Sequence, residues 1–231
     1  MRLPDKVKFL LVLCSGLIFF ISGCVDTGVQ TIPSKIVYNS QVKFTNLVAG
    51  AGTATLTLND QAIGTVAFGE ETSDMTVQAG GKTLDVAYAN AANQEYLFST
   101  DTDYKLRVYL LGTAGSNSVL KNNQRYIFQT PDIPQDTAQV SFFNGSPDIT
   151  LNSISLNSSS DTTDVDLGSM VLGDTEPYML VKSNTYSFDI AYNDSLEASF
   201  TDTHAINSMH RYTVVVYDTL GSLKMKVFTD D

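Results

Sequence analysis

The chain contains two tandem copies of one sequence unit. Gln41-Val-Lys-Phe-Thr-Asn46 returns as Gln139-Val-Ser-Phe-Phe-Asn144, and Leu84-Asp-Val-Ala-Tyr88 returns as Phe188-Asp-Ile-Ala-Tyr192. The offset between matching blocks grows from 98 to 104 and then to 108 residues, and it changes only in polar stretches. Solenoid repeats are about 20–50 residues long, so each longer copy here is predicted to be a domain. The other matching blocks are Leu56–Asn59 with Ile154–Asn157, Gly64–Glu70 with Gly168–Asp174, and Tyr104–Tyr109 with Tyr212–Tyr217.

Apolar residues alternate with polar ones inside these blocks. Val42 and Phe44 share one face, as do Leu84, Val86 and Tyr88. A period of two is typical of β-strands with one buried face. Turn-forming residues recur about every 8–12 residues, which indicates about seven strands per copy. We therefore predict an all-β fold of two tandem immunoglobulin-like antiparallel β-sandwich domains.

The repeat also predicts where the domains begin and end. We place the first β-sandwich at residues 41–130 and the second at residues 138–231. The segment Thr130–Thr137 contains two prolines and is predicted to be a short, stiff spacer between them. Residues 24–40 are polar and show no periodicity, which indicates a tether ahead of the first domain.

Residues 1–23 have the features of an export signal. Three basic residues precede an apolar run from Phe9 to Ile21, and Ser22 and Gly23 follow it. A basic start, an apolar stretch and small residues at the cleavage point define a secretory signal peptide. The apolar run is shorter than the roughly 20 residues that a membrane-spanning helix needs. An ordinary secretory signal and an uncleaved anchor are the alternatives.

Cys24 directly follows this segment, and Ile21-Ser-Gly-Cys24 resembles the bacterial lipobox. The resemblance implies cleavage before Cys24 and a diacylglycerol and acyl anchor on its thiol, which is stable because several chains are buried together. Val25 rather than Asp follows the cysteine, which resembles the sorting signal of outer-membrane lipoproteins. We expect a protein of the bacterial cell envelope that faces the periplasm or the surface, with no cofactor besides this lipid.

The net charge limits the classes of partner, and the cysteine content limits the possible disulfides. Three of the 14 basic residues and one of the 25 acidic residues lie in residues 1–23, so residues 24–231 carry 11 and 24, a net charge of −13. Nucleic acid binding needs basic patches, so we expect no nucleic acid partner. The only cysteines are Cys14 and Cys24, so the domains contain no disulfide.

Several short motifs resemble the bacterial domain of unknown function 4397 family. Val140–Asp148 reads VSFFNGSPD, which is similar to that family's opening strand and turn. Val77-Gln-Ala-Gly80 resembles its V-x-A-G hairpin, with Gly80-Gly81 permitting positive φ, and Tyr212–Val216 resembles its penultimate strand. The first copy lacks the N-G-S-P-D turn and the second lacks V-x-A-G. The resemblance implies immunoglobulin-like sandwiches, often in lipoproteins, and it transfers no catalytic residues.

Few residues suggest catalysis or transition-metal binding. His204 and His210 would need a third ligand such as Asp202, and their spacing fits no standard zinc signature. The alternative is a loop with solvated histidines before the strand at Tyr212. The chain has no G-x-S-x-G motif, and its five glutamates occur mostly in turn-like stretches, so we predict no catalytic residues and no enzyme activity. A hydrolase remains an alternative if a pocket gathers either histidine with Ser and Asp.

Calcium is the one cofactor for which the sequence offers candidate ligands. Asp161, Asp164 and Asp166 cluster in a stretch predicted to be a loop, and loop carboxylates suit Ca²⁺. The stretch does not match the EF-hand pattern, so a solvated acidic loop is the favoured interpretation and no metal is predicted.

The leading hypothesis is a non-enzymatic lipoprotein that acts as a binding, spacer or envelope-assembly module. Its partners would be the membrane, through the lipid, and envelope proteins or polysaccharide. The alternative is a carbohydrate- or adhesion-type binding module. The chain has no Trp, and tyrosines that match between the copies, such as Tyr88 and Tyr192, are predicted to be core residues rather than a sugar platform.

Overall fold

The structure is a computed structural model that describes residues 37–127 and 132–231. Sixteen β-strands account for most of these residues. Sandwich 1 (residues 38–127) contains β1 (Asn39–Asn46), β2 (Ala54–Leu58), β3 (Gln61–Val66), β4 (Met75–Gln78), β5 (Gly80–Tyr88), β6 (Gln94–Thr100), β7 (Tyr104–Thr113) and β8 (Ser116–Tyr126). Sandwich 2 (residues 132–231) contains β9 (Thr137–Gly145), β10 (Leu151–Asn157), β11 (Thr162–Met170), β12 (Met179–Lys182), β13 (Asn184–Tyr192), β14 (Leu196–Ile206), β15 (Arg211–Tyr217) and β16 (Lys224–Thr229).

Each sandwich consists of two four-stranded sheets with the same topology in both copies. We call β4-β1-β7-β8 and β12-β9-β15-β16 the inner sheets, and β3-β2-β5-β6 and β11-β10-β13-β14 the outer sheets. The predicted all-β sandwich class is confirmed, with two corrections. Each copy has eight strands rather than seven, and each inner sheet contains one parallel pair, β1 with β7 and β9 with β15.

The predicted hairpin at Val77–Gly80 is wrong. β4 pairs with β1 in the inner sheet, whereas β5, which begins at Gly80, pairs with β2 and β6 in the outer sheet. Gly80 has a φ of +116°, a backbone conformation that is strained for residues with a Cβ. Glycine at this position therefore lets the chain cross from the inner sheet to the outer sheet. β12 and β13 divide between the two sheets of sandwich 2 in the same way.

Each sandwich has its own apolar core between its two sheets. Val42, Phe44, Leu84 and Val86 are buried in the first, and their repeat partners Val140, Phe142, Phe188 and Ile190 are buried in the second. The tyrosines that match between the copies are buried in these cores as well, or are packed against them, as the repeat predicts. They are Tyr88, Tyr104, Tyr192 and Tyr212.

In each sandwich, an asparagine at the same repeat position lies near the end of the first strand and hydrogen-bonds to the backbone of nearby loops. Asn144 Nδ2 donates to the carbonyl oxygens of Ile149 and Met170, at 3.0 and 2.8 Å, and its Oδ1 accepts from the Ser146 amide at 2.9 Å. Asn46 bonds to its own loops in the same pattern. Both side chains are fully buried, so each satisfies loop backbone groups that water cannot reach.

The two inner sheets also pack against each other through their second faces. A third apolar cluster contains residues of both sandwiches, including Leu47 and Tyr109 from the first and Phe143, Val215 and Phe228 from the second. Tyr38–Asp231 accordingly form one compact unit of four stacked sheets. The sequence pattern predicted a strand exposed on one side, but β7 is buried on both sides for most of its length. Helices are absent from the described ranges, so none there could cross a membrane.

Candidate functional site

The interface between the inner sheets contains a buried network of charged side chains. Arg107 on β7 is fully buried, and its guanidinium lies 2.7 Å from Asp230 Oδ1 and 2.8 Å from Glu71 Oε2. Lys43 on β1 lies beside it, with Nζ 3.1 Å from Glu71 Oε1 and 3.0 Å from the Thr229 carbonyl oxygen. Two charged residues of sandwich 1, Arg107 and Lys43, thus contact the end of β16 in sandwich 2, and Glu71 pairs with both of them.

Asp230 connects the two sandwiches through four hydrogen bonds. Its Oδ1 accepts from Arg107 and from Gln124 Nε2, both in sandwich 1, and its Oδ2 accepts from Tyr178 Oη and Thr213 Oγ1 in sandwich 2. Each donor–acceptor distance is 2.7 Å. A buried carboxylate is costly unless it is paired and hydrogen-bonded, and this one satisfies both conditions only when the sandwiches are in contact.

Burial and charge shift the pKa values in this network. Burial alone would lower the pKa of Arg107, but the carboxylates of Asp230 and Glu71 outweigh it and hold that pKa above its ordinary value. Burial raises the pKa of the Tyr178 phenol, and the negative charge of Asp230 raises it further. Burial lowers the pKa of Lys43, and nearby Arg107 adds to this effect.

Aromatic packing surrounds the charged network. The rings of Tyr109 and Phe143 stack with centroids 4.0 Å apart and an interplanar angle of 10°. Phe68 meets Tyr217 edge-on, and Gly69 lies so close to the Tyr217 ring that no Cβ fits there. The Arg107 guanidinium lies over the Phe228 ring, 4.9 Å from its centroid. The interface therefore combines apolar burial with buried ion pairs.

The sequence interpretation missed Lys43, Arg107 and Asp230. On alternating strands, basic side chains opposite a core face are normally solvated, so nothing marked these as buried. One signal was present: β15 reads Tyr212-Thr-Val-Val-Val-Tyr217, and three consecutive valines are typical of a strand that is buried on both faces.

Cys24, the signal segment and residues 130–131 of the predicted spacer lie outside the described residues. The predicted lipid site therefore stays a prediction.

The predicted acidic loop at Asp161–Gly168 is wrong, because residues 162–170 form β11. Asp164 Oδ1 accepts from Ser155 Oγ at 2.6 Å, Asp166 Oδ1 accepts from the Gly168 amide, and Asp161 lies 3.8 Å from Lys182 Nζ. These candidate Ca²⁺ ligands thus have separate partners. No group of three His, Cys, Asp or Glu side chains that could hold a metal ion occurs in the described part of the chain.

The two histidines occupy separate sites. His210 lies in the turn before β15, where its Nδ1 is 2.6 Å from Asp231 Oδ2. His204 lies within β14 and not in the predicted loop, and its ring packs 6.1 Å from that of Phe188. It lines a cleft with Ser199 and Asp202, but no hydrogen bond joins His204 to either of them within the described ranges.

Two shallow grooves occupy equivalent positions on the two outer sheets. The groove on sandwich 2 has a volume of about 250 Å³ and is lined by Asp189, Ala191 and Ser199 among others. The groove on sandwich 1 has a volume of about 300 Å³ and contains Asp85 and Ala87, which match Asp189 and Ala191 in the repeat. Asp189 Oδ2 accepts from Asn157 Nδ2 at 2.7 Å.

No family model matches the chain, and no curated protein matches it. The resemblance to the domain of unknown function 4397 family therefore stays a prediction. Among solved structures, a "Putative cell adhesion protein" from Parabacteroides distasonis is similar over 85% of this chain and 99% of its own length. The two share 8% sequence identity with a TM-score of 0.23, a level of similarity that says nothing about what this chain binds.

Proposed function

We propose that the chain is a non-enzymatic lipoprotein of the bacterial cell envelope, anchored through Cys24 and exposed outside the cytoplasm. Its two sandwiches act as one stiff binding or spacer module in envelope assembly, facing the periplasm or the surface from the outer membrane. The observation that carries the single stiff module is the buried network in which Asp230 accepts from both sandwiches. The anchor and the envelope location are supported by the sequence of residues 1–25. Membership of the domain of unknown function 4397 family is part of the same proposal.

Stiffness follows from the chemistry of the interface. If the sandwiches separated, Arg107, Lys43 and Asp230 would lose the partners that lie in the opposite sandwich. The stacked Tyr109 and Phe143 rings would be exposed to water. A pair of domains joined by a loose linker would not place charged side chains in a shared, dry interface. We therefore propose that a partner encounters a fixed four-sheet body, held off the membrane by the segment between Cys24 and β1.

The net charge and the proposed anchor limit the classes of partner. A net charge of −13 over residues 24–231 disfavours nucleic acid. Envelope proteins and polysaccharides are the candidates that suit an anchored extracytoplasmic protein.

A carbohydrate- or adhesion-type module is the second candidate, and the two equivalent grooves favour it. Each groove is lined by an aspartate, Asp85 or Asp189, by a glutamate of the neighbouring strand, and by amide or hydroxyl side chains. Such groups are suited to hydrogen-bonding sugar hydroxyls. The test is co-sedimentation of the protein with purified cell-wall polysaccharide. This candidate requires that Asp189→Ala and Asp85→Ala each weaken retention, and equal retention of wild type and both variants would exclude it.

The anchor is tested by mass spectrometry of the membrane fraction, comparing the wild type with Cys24→Ala. The proposal predicts a mature N-terminus at an acylated Cys24, and a variant that is uncleaved or released from the membrane. An unmodified Cys24, or cleavage at another position, would overturn the lipoprotein assignment and leave a secreted pair of sandwiches.

A further inference from the structure

β1 is the strand through which the chain from Cys24 enters the four-sheet body. It begins at Asn39, and it is a central strand of the inner sheet β4-β1-β7-β8. It pairs with β4 over four positions and with β7 over six, and six of its eight residues are buried. A force on the chain ahead of Asn39 therefore acts first on a strand that is hydrogen-bonded along both edges and packed on both faces.

The direction of β1 determines how such a force is shared. β1 and β7 are parallel, and the turn after β7 lies just beyond the far end of β1, where the Ala114 amide donates to the Ala49 carbonyl oxygen at 2.9 Å. When the chain ahead of Asn39 and this turn are pulled in opposite directions, β1 slides along β7. The hydrogen bonds between the two strands are then stretched together, whereas peeling a strand from its end breaks them one at a time. Because forced unfolding is governed by the rate of the unfolding step, sliding is the direction with the greater resistance.

Side chains of β1 add cross-links that also oppose sliding. Lys43 is buried, and its Nζ lies 3.1 Å from Glu71 Oε1 and 3.0 Å from the Thr229 carbonyl oxygen of sandwich 2. Ser40 Oγ donates to the Asp101 carbonyl oxygen at 2.5 Å. Sliding β1 along its neighbours would withdraw a buried ammonium group from its partners, which is costly.

The second copy lacks the cross-link between the sandwiches at this position. Ser141 on β9 occupies the repeat position of Lys43, and its hydroxyl donates to the Glu176 carbonyl oxygen at 2.5 Å, within sandwich 2. β9 follows the segment between the two sandwiches, whereas β1 follows the segment from Cys24. The lysine that connects the two sandwiches thus lies on the strand that the proposed anchor would pull.

We infer that β1 is a mechanical clamp, a strand that keeps the body folded when a bound partner pulls against the lipid anchor. The role rests on the proposed anchor at Cys24, because without an anchor no load reaches Asn39. The load passes from the chain ahead of Asn39 into β1, and from there through β4, β7 and Lys43 into both sandwiches. Binding alone does not require this resistance, so the clamp adds a load-bearing role to the stiff module.

The test is single-molecule pulling of the mature chain, residues 24–231, between thiol handles in two directions. The shear direction uses unlipidated Cys24 and Gly115→Cys, a position where an added Cβ meets nothing within 4 Å. The peeling direction uses Thr102→Cys and Ile127→Cys in a Cys24→Ala background, and it separates β8 from β7 at the open end of their hairpin. We expect the shear direction to need at least about twice the unfolding force at equal pulling speed. Equal forces, or a lower force in shear, would overturn the clamp.

Two variants distinguish the clamp from general stability. Lys43→Met removes the ammonium group from an unbranched side chain, and we expect it to lower the shear force and to leave the peeling force unchanged. Ser141→Ala is the control at the matching repeat position and should change neither force. If Lys43→Met lowers both forces by the same fraction, Lys43 contributes only general stability, which contradicts the clamp.

The pulling experiment and the test of the anchor fail separately. The handles are thiols, so the measured forces do not depend on lipidation, and equal forces would overturn the clamp even with an acylated Cys24. An unmodified Cys24 in the mass spectrum would leave β1 with no anchor to load it, which overturns the load-bearing role whatever the forces are.

Discussion

Arg107 Nη1 and Asp230 Oδ1 lie 2.7 Å apart, although 123 residues separate them in the chain. Both side chains are fully buried. Breaking such a pair leaves an uncompensated buried charge, so we expect Asp230→Ala to lower the free energy of unfolding by about 3–5 kcal/mol. Urea denaturation measures this loss.

A double-mutant cycle isolates the interaction itself. We expect Asp230→Ala and Arg107→Met to be non-additive by at least about 1 kcal/mol, because the two residues form a buried ion pair with each other. The exposed pair of Lys182 and Asp161 is the control, and Asp161→Ala should change stability by less than about 1 kcal/mol. Additive effects of the first two substitutions would contradict a coupled interface.

The interface also sets the response to alkaline pH. The folded protein holds the pKa of Tyr178 above its ordinary value of 10.0, because of burial and the nearby Asp230 charge. A phenol whose folded pKa is raised contributes stability that is fully present below the unfolded pKa and lost as pH rises above it. We expect unfolding free energy to fall above about pH 10, and Tyr178→Phe to show a shallower fall. Denaturation curves across that range test this, and an equal slope in both proteins would contradict it.

Gly69 of sandwich 1 lies directly against the Tyr217 ring of sandwich 2. Gly69 has φ of +78°, and a Cβ there would overlap the Tyr217 ring. Gly64 is the matched control, since its φ of +135° is also positive but a Cβ added there would have nothing within 4 Å. We expect Gly69→Ala to cost about 1–3 kcal/mol more than Gly64→Ala in thermal or urea denaturation. Equal costs would show that Gly69 is not at an interface.

The buried asparagines explain why the sequence copies share their first block. Asn144 satisfies two carbonyl groups and one amide that its loops bury. We expect Asn144→Ala to cost about 2–4 kcal/mol, since several buried groups lose their partners at once. Asn152 makes two hydrogen bonds, to the Gly168 carbonyl and from the Asp194 amide, but both are exposed to solvent, so Asn152→Ala should change stability by less than about 1 kcal/mol. Similar effects of both substitutions in urea denaturation would contradict this role.

The repeat and the alternation were sufficient to predict the strands, the two cores and the buried tyrosines. These features depend on local spacing, which a single sequence displays. The stacking of the inner sheets was not predictable in the same way. In the sequence, Lys43 and Arg107 look like solvated surface residues, and only the folded structure brings the end of β16 and Asp230 beside them. Likewise, a bulge in β14 depends on its register with β13, so the position of His204 at a cleft was hidden by an apparently polar loop.

A zero-length cross-link tests most directly whether the two sandwiches form one body. Lys226 of β16 forms an ion pair with Glu70 of sandwich 1, and both side chains are accessible to a carbodiimide. Lys224 and Asp218 form a pair within sandwich 2 and serve as the internal control. Mass spectrometry of the monomer should reveal both cross-links in the wild type, with the Glu70–Lys226 product reduced in Asp230→Ala. If only the Lys224–Asp218 product forms in the wild type, the sandwiches are separate in solution, which contradicts a single body.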